Sequence, residues 1–194
     1  MKLYLVRHGE TIENTRKIVM GQRHGRLGKA GKLQAKRLAN LFKKHKFDAI
    51  YSSDLRRAAD TAKEIAKYHP HQIIYSKDLR EGHFGKLQGK SRDYLKIVFS
   101  DLPGTFMTKK APGGESPIEL KRRVKRFTNH LLKEHKNDSV LIITHGGVIR
   151  MFLAILKKIS AKRVFESVKI QNAAGFLIAI NKNKTVAVKK INSS

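Results

Sequence analysis

The 194-residue sequence predicts an α/β fold, a three-layer sandwich with a mainly parallel sheet, an antiparallel edge and helices on both faces. Three observations carry this expectation. Apolar runs of strand length alternate with segments of helical period, the rhythm of strands joined by crossover helices. Two of the runs, 3–6 and 140–143, are continuously apolar, as in strands covered on both faces. The last two strand-like segments, 173–180 and 184–190, follow each other through a polar turn at 181–183 and read as a hairpin.

In chain order, residues 2–7 form the first buried strand, followed by a polar loop with Gly21, Gly25, Gly28 and Gly31. A helix over 29–45 is expected to bury Leu33, Leu38, Leu41 and Phe42 and to expose its lysines. A short strand at 47–51 ends in Ser52-Ser53-Asp54, groups suited to capping a helix over 55–67. A strand at 73–75 leads into a loop, 78–90, containing Glu81 and three glycines. A helix over 91–99 precedes the segment 101–117, whose three prolines and three glycines predict a long loop of the lid or binding kind. A helix over 117–135, the strand 139–144, an apolar helix 147–157 and a short helix 161–167 complete the pattern before the hairpin. No repeat, linker or low-complexity segment interrupts it, so one domain, 1–194, is expected.

Composition narrows the class. A chain with 40% hydrophobic and 29% charged residues is expected to be soluble and globular. The absence of cysteine excludes disulfides and thiolate metal sites and suits the cytoplasm. No run is long enough to span a bilayer, and the N-terminal residues do not read as a signal peptide, so a cytoplasmic protein without a membrane role is expected. The net charge of +27 would draw anionic substrates or polyanions. Its longest basic runs, 43–46 and 121–126, lack interleaved aromatics, tryptophan is absent, and the 28 lysines outnumber the 14 arginines. That composition suits non-specific polyanion binding at low salt better than specific nucleic-acid readout. The sequence carries no signal for oligomeric state.

One feature occurs twice. The first strand ends in Arg7-His8-Gly9 and the strand 139–144 ends in Thr144-His145-Gly146. Alone, either histidine is an ordinary strand-end residue. In parallel strands both would meet at one sheet edge, where α/β folds bind ligands. Ser52-Ser53 at a third strand end leads to Arg57, a further guanidinium for the same crevice.

These residues resemble the histidine phosphatase superfamily, the phosphoglycerate-mutase-like proteins. Leu5-Val6-Arg7-His8-Gly9-Glu10-Thr11 is similar to its signature. Ser52-Ser53-Asp54-Leu55-Arg56-Arg57-Ala58, Leu79-Arg80-Glu81-Gly82-His83-Phe84-Gly85, Pro112-Gly113-Gly114-Glu115-Ser116 and Thr144-His145-Gly146-Gly147-Val148-Ile149-Arg150 follow in the family's order, over roughly 3–150. The resemblance implies catalytic roles for His8 as nucleophile, Glu81 as proton donor, and Arg7, Arg57 and His145 around the phosphoryl group. It also implies substrate contacts from Asn14, Gly21, Gln22 and the Gly146 amide. Such chemistry suits these residue types: an imidazole attacks phosphorus only when neutral, and cationic donors meet the negative charge spread over the transition state. With that many cations no metal is required, and His69-Pro70-His71, the one tight histidine pair, reads as a surface turn. The pattern departs from the family at His24-Gly25-Arg26-Leu27-Gly28, where an Asp and then Pro-Leu-Thr are common, which bears on the cap of the next helix.

The resemblance leaves two fates for the phosphoryl group. Residues 83–90 are similar to the mutase version of their block, which would use 2,3-bisphosphoglycerate as cofactor and need extra cations such as Lys86, Lys90, Arg92, Lys109 or Lys110. The short chain, the compact 89–112 insertion and the forms of 113–116 and 145–150 favour the small phosphatase branch, with a small phosphorylated metabolite as substrate and no cofactor. A non-catalytic basic polyanion-binding protein is the alternative from another class.

Overall fold

The computed structural model describes residues 1–181 and 186–192. Strands β1 (Lys2–Arg7), β2 (Ala49–Ser53), β3 (Ile73–Ser76), β4 (Ser139–Thr144), β5 (Gly175–Ile180) and β6 (Val186–Ile191) form one sheet in the order β3-β2-β4-β1-β5-β6. The first four are parallel, and β5 runs back against β1 and pairs with β6 to make the antiparallel edge. The turn expected at 181–183 and the first two residues of the last expected strand fall largely outside the described residues.

Helices lie on both faces: α1 (Ile12–Thr15), α2 (Lys29–Phe42), α3 (Arg56–Ala66), α4 (Arg92–Asp101), α5 (Pro117–Glu134), α6 (Gly146–Leu156) and α7 (Ala161–Ser167). The period-2 alternation of the strands sorts their side chains into two cores. Leu3, Leu5, Val140 and Ile142 pack with Val124 of α5, Phe152 of α6 and Val164 of α7. Val6, Leu141 and Ile143 pack with Leu38 and Phe42 of α2 and with Ala58, Ala62 and Ile65 of α3. No helix among the described residues is long and apolar enough to cross a membrane.

Three expectations are corrected. On α2 the buried stripe is Gly31, Ala35, Leu38, Ala39 and Phe42, while Leu33 and Leu41 are 52% and 43% exposed. The 3.6-residue period aligns the first set, and the two leucines fall off it. The departure at 24–28 does bear on the cap, as expected: Gly28 stands at the N-cap of α2 and makes no side-chain cap bond. Asp54 does not cap α3; it is held by Arg80 through Nε (2.7 Å) and Nη2 (2.5 Å), and Ser53 Oγ instead accepts the Leu55 amide. The 101–117 segment forms no wall of the cleft described below. α4 takes that place, and the following loop is fastened by Phe106 against the Phe165 ring and by Lys109 Nζ on the carbonyls of Phe99 and Ser100.

Candidate active site

Three adjacent parallel strands end side by side. Arg7 on β1 pairs with Thr144 on β4, and the His8 amide donates to the Thr144 carbonyl, so His8 and His145 emerge level with ring centres 5.2 Å apart. β2, on the far side of β4, delivers Ser53 and, in the first turn of α3, Arg57. His8, His145 and Arg57 are all essentially buried. Gly9 is required here by contact: a Cβ would lie 2.5 Å from the Gly31 carbonyl oxygen, where α2 starts against the loop.

The hydrogen bonds fix the His8 tautomer. Nδ1 lies 2.7 Å from the Gly9 carbonyl, which can only accept, so Nδ1 carries the proton. Nε2 is then bare and accepts from Arg57 Nε at 3.2 Å. Burial, then Arg57 and Arg7, hold the His8 pKa well below 6.5, opposed by the Gly9 bond. His145 is oriented the other way round. Its Nε2 lies 2.9 Å from Ser53 Oγ, which also accepts the Leu55 amide. With the hydroxyl donating to Nε2, Nδ1–H becomes the nitrogen available to a ligand. Burial and then Arg57 hold this imidazole neutral as well, with its pKa well below 6.5.

The guanidiniums are anchored by carbonyls. Arg57 donates to Arg23 O and Gly21 O, each at 2.7 Å, and Arg7 donates to Ile170 O at 2.7 Å. Burial pushes both pKa values down to about 10, which leaves them charged at neutral pH. Arg150 donates to Val168 O and lies over the Phe165 ring. Among the described residues, five buried side-chain nitrogen and oxygen atoms lack a partner, and three of them belong to Arg7 (Nε), Asn14 (Nδ2) and His145 (Nδ1). A buried polar group without a partner costs about 1–3 kcal/mol. Three at one strand edge mark a place built for an acceptor-rich anion.

The other expected residues fall as follows. Glu81 is half-buried on the same cleft, about 230 Å³ in volume, as Arg7, His8, Asn14, Gly21 and Arg57. Its carboxylate accepts from the amides of Gly82 (3.0 Å) and Gly147 (3.2 Å). The carboxylate comes so close to Gly147 that a Cβ there would push it aside. Asn14 Oδ1 accepts from the Thr11 amide and from Asn172, leaving Nδ2 for a ligand. Gly21 adopts φ +54°, favoured by glycine, and turns its carbonyl to Arg57. Gln22 does not line the cleft; its side-chain Nε2 donates to the Glu81 carbonyl. Gly146 begins α6 against Arg7 and Arg150, while it is the next amide, Gly147, that holds Glu81.

Sequence reasoning missed several neighbours. Arg150 had a signal: one turn into α6, a side chain leans back to the strand end. Asn172 had none, since it donates to His8 O and Asn14 Oδ1 from a loop more than 150 residues away. Leu95 and Lys96 of α4, Phe84 and the 18–20 segment also line the cleft, beside Arg92, which the sequence offered as a cation. Among the described residues no group of three or more His, Asp or Glu side chains is placed to hold a metal ion.

The family model of the histidine phosphatase superfamily (branch 1) matches residues 3–193. The chain belongs to that superfamily. Within it, this chain is 37% identical over 164 residues to a phosphoglycerate mutase-like protein of Arabidopsis thaliana, covering 77% of this chain and 68% of the relative. It is 36% identical over 183 residues to a metal-independent phosphoserine phosphatase of the same plant, covering 86% and 73%. The alpha-ribazole phosphatase from Shigella flexneri superposes with a TM-score of 0.88 at 25% identity, covering 99% of this chain and 96% of that one.

Proposed function

We propose that this histidine phosphatase hydrolyses phosphomonoesters of small metabolites through a phosphohistidine on His8. The observation that carries the reading is the state of His8: neutral, with its proton fixed on Nδ1 and its bare Nε2 facing Arg57. The Nε2 lone pair attacks phosphorus as the P–O bond to the leaving group breaks, and Arg57 Nε turns from that lone pair to a phosphoryl oxygen. Arg7 Nε, Asn14 Nδ2 and His145 Nδ1–H supply the other donors, where charge develops. Glu81 gives its proton to the departing oxygen, then takes one from the water that attacks the phosphohistidine and returns the pair to Nε2. The chemistry needs no metal or organic cofactor, and the chain acts as one domain, 1–194, in the cytoplasm.

Transfer to water is favoured over the mutase outcome by the cations available for a second anionic group. Of the five suggested by sequence, Arg92 alone lines the cleft, beside Lys96, whose ammonium is paired with Asp93 at 3.0 Å; Lys109 is spent on carbonyls and Lys110 on Glu119. The test is a product assay with 3-phosphoglycerate, with and without 2,3-bisphosphoglycerate, beside a panel of phosphomonoesters. Inorganic phosphate is expected; isomer formation that depends on the bisphosphate would replace this reading by the mutase. An acid-labile phosphoenzyme is expected in the wild type and absent in His8→Ala. Retention of that label in the variant would remove His8 as nucleophile.

The charge supports a second, weaker activity, non-specific polyanion contact. Residues 14–47 contain no Asp or Glu and eleven Lys and Arg. On α2 and just after it, Lys29, Lys32, Lys36, Arg37, Lys44 and Lys46 are exposed and take part in no ion pair among the described residues. Elution from heparin is expected to fall markedly in salt when Lys29, Lys36, Arg37 and Lys44 are changed to Glu. Unchanged elution would return the charge to solubility alone.

A further inference from the structure

Four consecutive carbonyls around Glu81 are each held by a side chain. Asp78 O and Arg80 O accept from Arg123 Nη1, both at 2.7 Å, and Glu81 O accepts from Arg123 Nη2 at 3.3 Å and from Gln22 Nε2 at 3.1 Å. Leu79 O accepts from Thr144 Oγ1 at 2.7 Å, tying the same loop to the end of β4. The remaining donors of Arg123 grip Glu115 in a fork: Nε to Oε1 at 3.0 Å and Nη2 to Oε2 at 2.7 Å. All five N–H groups of the guanidinium are thereby used. Glu115 in turn accepts the His83 amide and donates its own amide to the His83 carbonyl, closing the grip on the far side of Glu81. Both side chains of this pair are about 15% exposed, against 66% for Arg126, which pairs with Asp78 one turn further along α5.

We propose that Arg123, locked by Glu115, is a positioning residue that fixes where Glu81 delivers its proton. The inference rests on the assignment of Glu81 as proton donor. It also gives a purpose to the most basic run of the sequence, 121–126, and to the Glu115 block, neither of which touches the cleft. A general acid acts only within hydrogen-bond reach of the leaving oxygen, and a displacement of about 1 Å can cost a factor of about 100. The Glu81 carboxylate is itself pinned by two amides, from Gly82 and Gly147. Gly82 belongs to the loop whose carbonyls Arg123 holds. If that backbone shifts, Glu81 moves away from the leaving oxygen, while His8, Arg7 and Arg57, on other elements, stay where they are.

The experiment compares kcat/KM, which reports transfer to His8, for p-nitrophenyl phosphate and for an alkyl ester such as glycerol 3-phosphate. The aryl leaving group departs without a proton and the alkyl one needs it. Arg123→Gln is expected to lose about tenfold or more on the alkyl ester and less than about threefold on the aryl ester. Arg123→Lys keeps the charge but cannot span three carbonyls and a carboxylate, and is expected to show the same bias in smaller measure. It serves as the test if the Gln variant does not fold. Arg126→Gln is expected to match the wild type on both esters. Equal losses on the two esters in the Arg123 variants, while Glu81→Gln shows the bias, would overturn the positioning role. Absence of the bias in Glu81→Gln itself would instead overturn the proton-donor assignment beneath it.

Discussion

His8 and His145 occupy the same place in two neighbouring strands, and both are buried and held neutral, yet they turn opposite nitrogens to a ligand. His8 bonds its own following carbonyl through Nδ1 and leaves Nε2 bare. His145 bonds Ser53 through Nε2 and leaves Nδ1. A carbonyl can only accept, so it leaves the first ring a bare Nε2 lone pair, the form the proposed nucleophile needs. A serine hydroxyl that donates makes a hydrogen-bond donor of the second. Topology brings two equivalent imidazoles together, and the atom behind each ring decides its work.

The largest effect tests this division directly. His8→Ala removes the attacking atom, and kcat/KM is expected to fall by about 10⁴-fold or more. His145→Ala removes one donor from the phosphoryl group, for which about 10²–10³-fold is expected, with the phosphoenzyme still forming slowly. The double variant is expected to be no worse than His8→Ala alone, because a donor to a transition state that no longer forms has nothing left to stabilise. Full additivity in steady-state rates would mean that the two rings work independently.

Next in size is the response to acid. Below pH 6.5 the unfolded chain protonates both imidazoles, whereas the folded chain refuses the protons because burial and the neighbouring arginines hold both pKa values well below that. Stability is therefore highest above pH 6.5 and falls as pH drops. Each ring is expected to account for about 1.4 kcal/mol between pH 7.5 and 5.5. Urea unfolding at the two pH values should show His8→Asn losing less than the wild type by about that amount. An identical loss would mean that His8 is protonated in the fold. The same depression should leave kcat/KM without an acid limb at pH 6.5.

The sequence carried much of this. Continuous apolar runs named the parallel strands, and two His-Gly strand ends pointed to the candidate site before any contact was known. Leu33 and Leu41 misled by being leucines, since the 3.6-residue spacing already carries them off the stripe through Ala35, Leu38 and Phe42. Asp54 misled because a carboxylate before a helix suits a cap and an ion pair equally, and Arg80, from the next strand's loop, claimed it. What pattern cannot carry is the pairing of distant loops: Asn172 on Asn14, and the carbonyls of 78–81 on Arg123. Those partners follow from how the layers stack.

The smallest effect is the most specific to the comparison. Ser53→Ala removes one hydroxyl that never touches substrate in this arrangement. Net stability is expected to fall by about 1–3 kcal/mol, because the buried hydroxyl also accepts the Leu55 amide and both partners lose it. Without that hydroxyl the His145 Nε2 proton is no longer disfavoured, the ring is free to carry its hydrogen on either nitrogen, and the donor facing the phosphoryl group is present only part of the time. A loss of about three- to tenfold in kcat/KM is expected. Ser53→Cys, which keeps a weak donor, should recover part of it. His8 provides the control, since its tautomer is set by the Gly9 carbonyl and no side chain can be deleted to release it. If Ser53→Ala loses stability and leaves kcat/KM unchanged, the tautomer of His145 is set by the phosphoryl group itself, and the difference between the two rings arises only on binding.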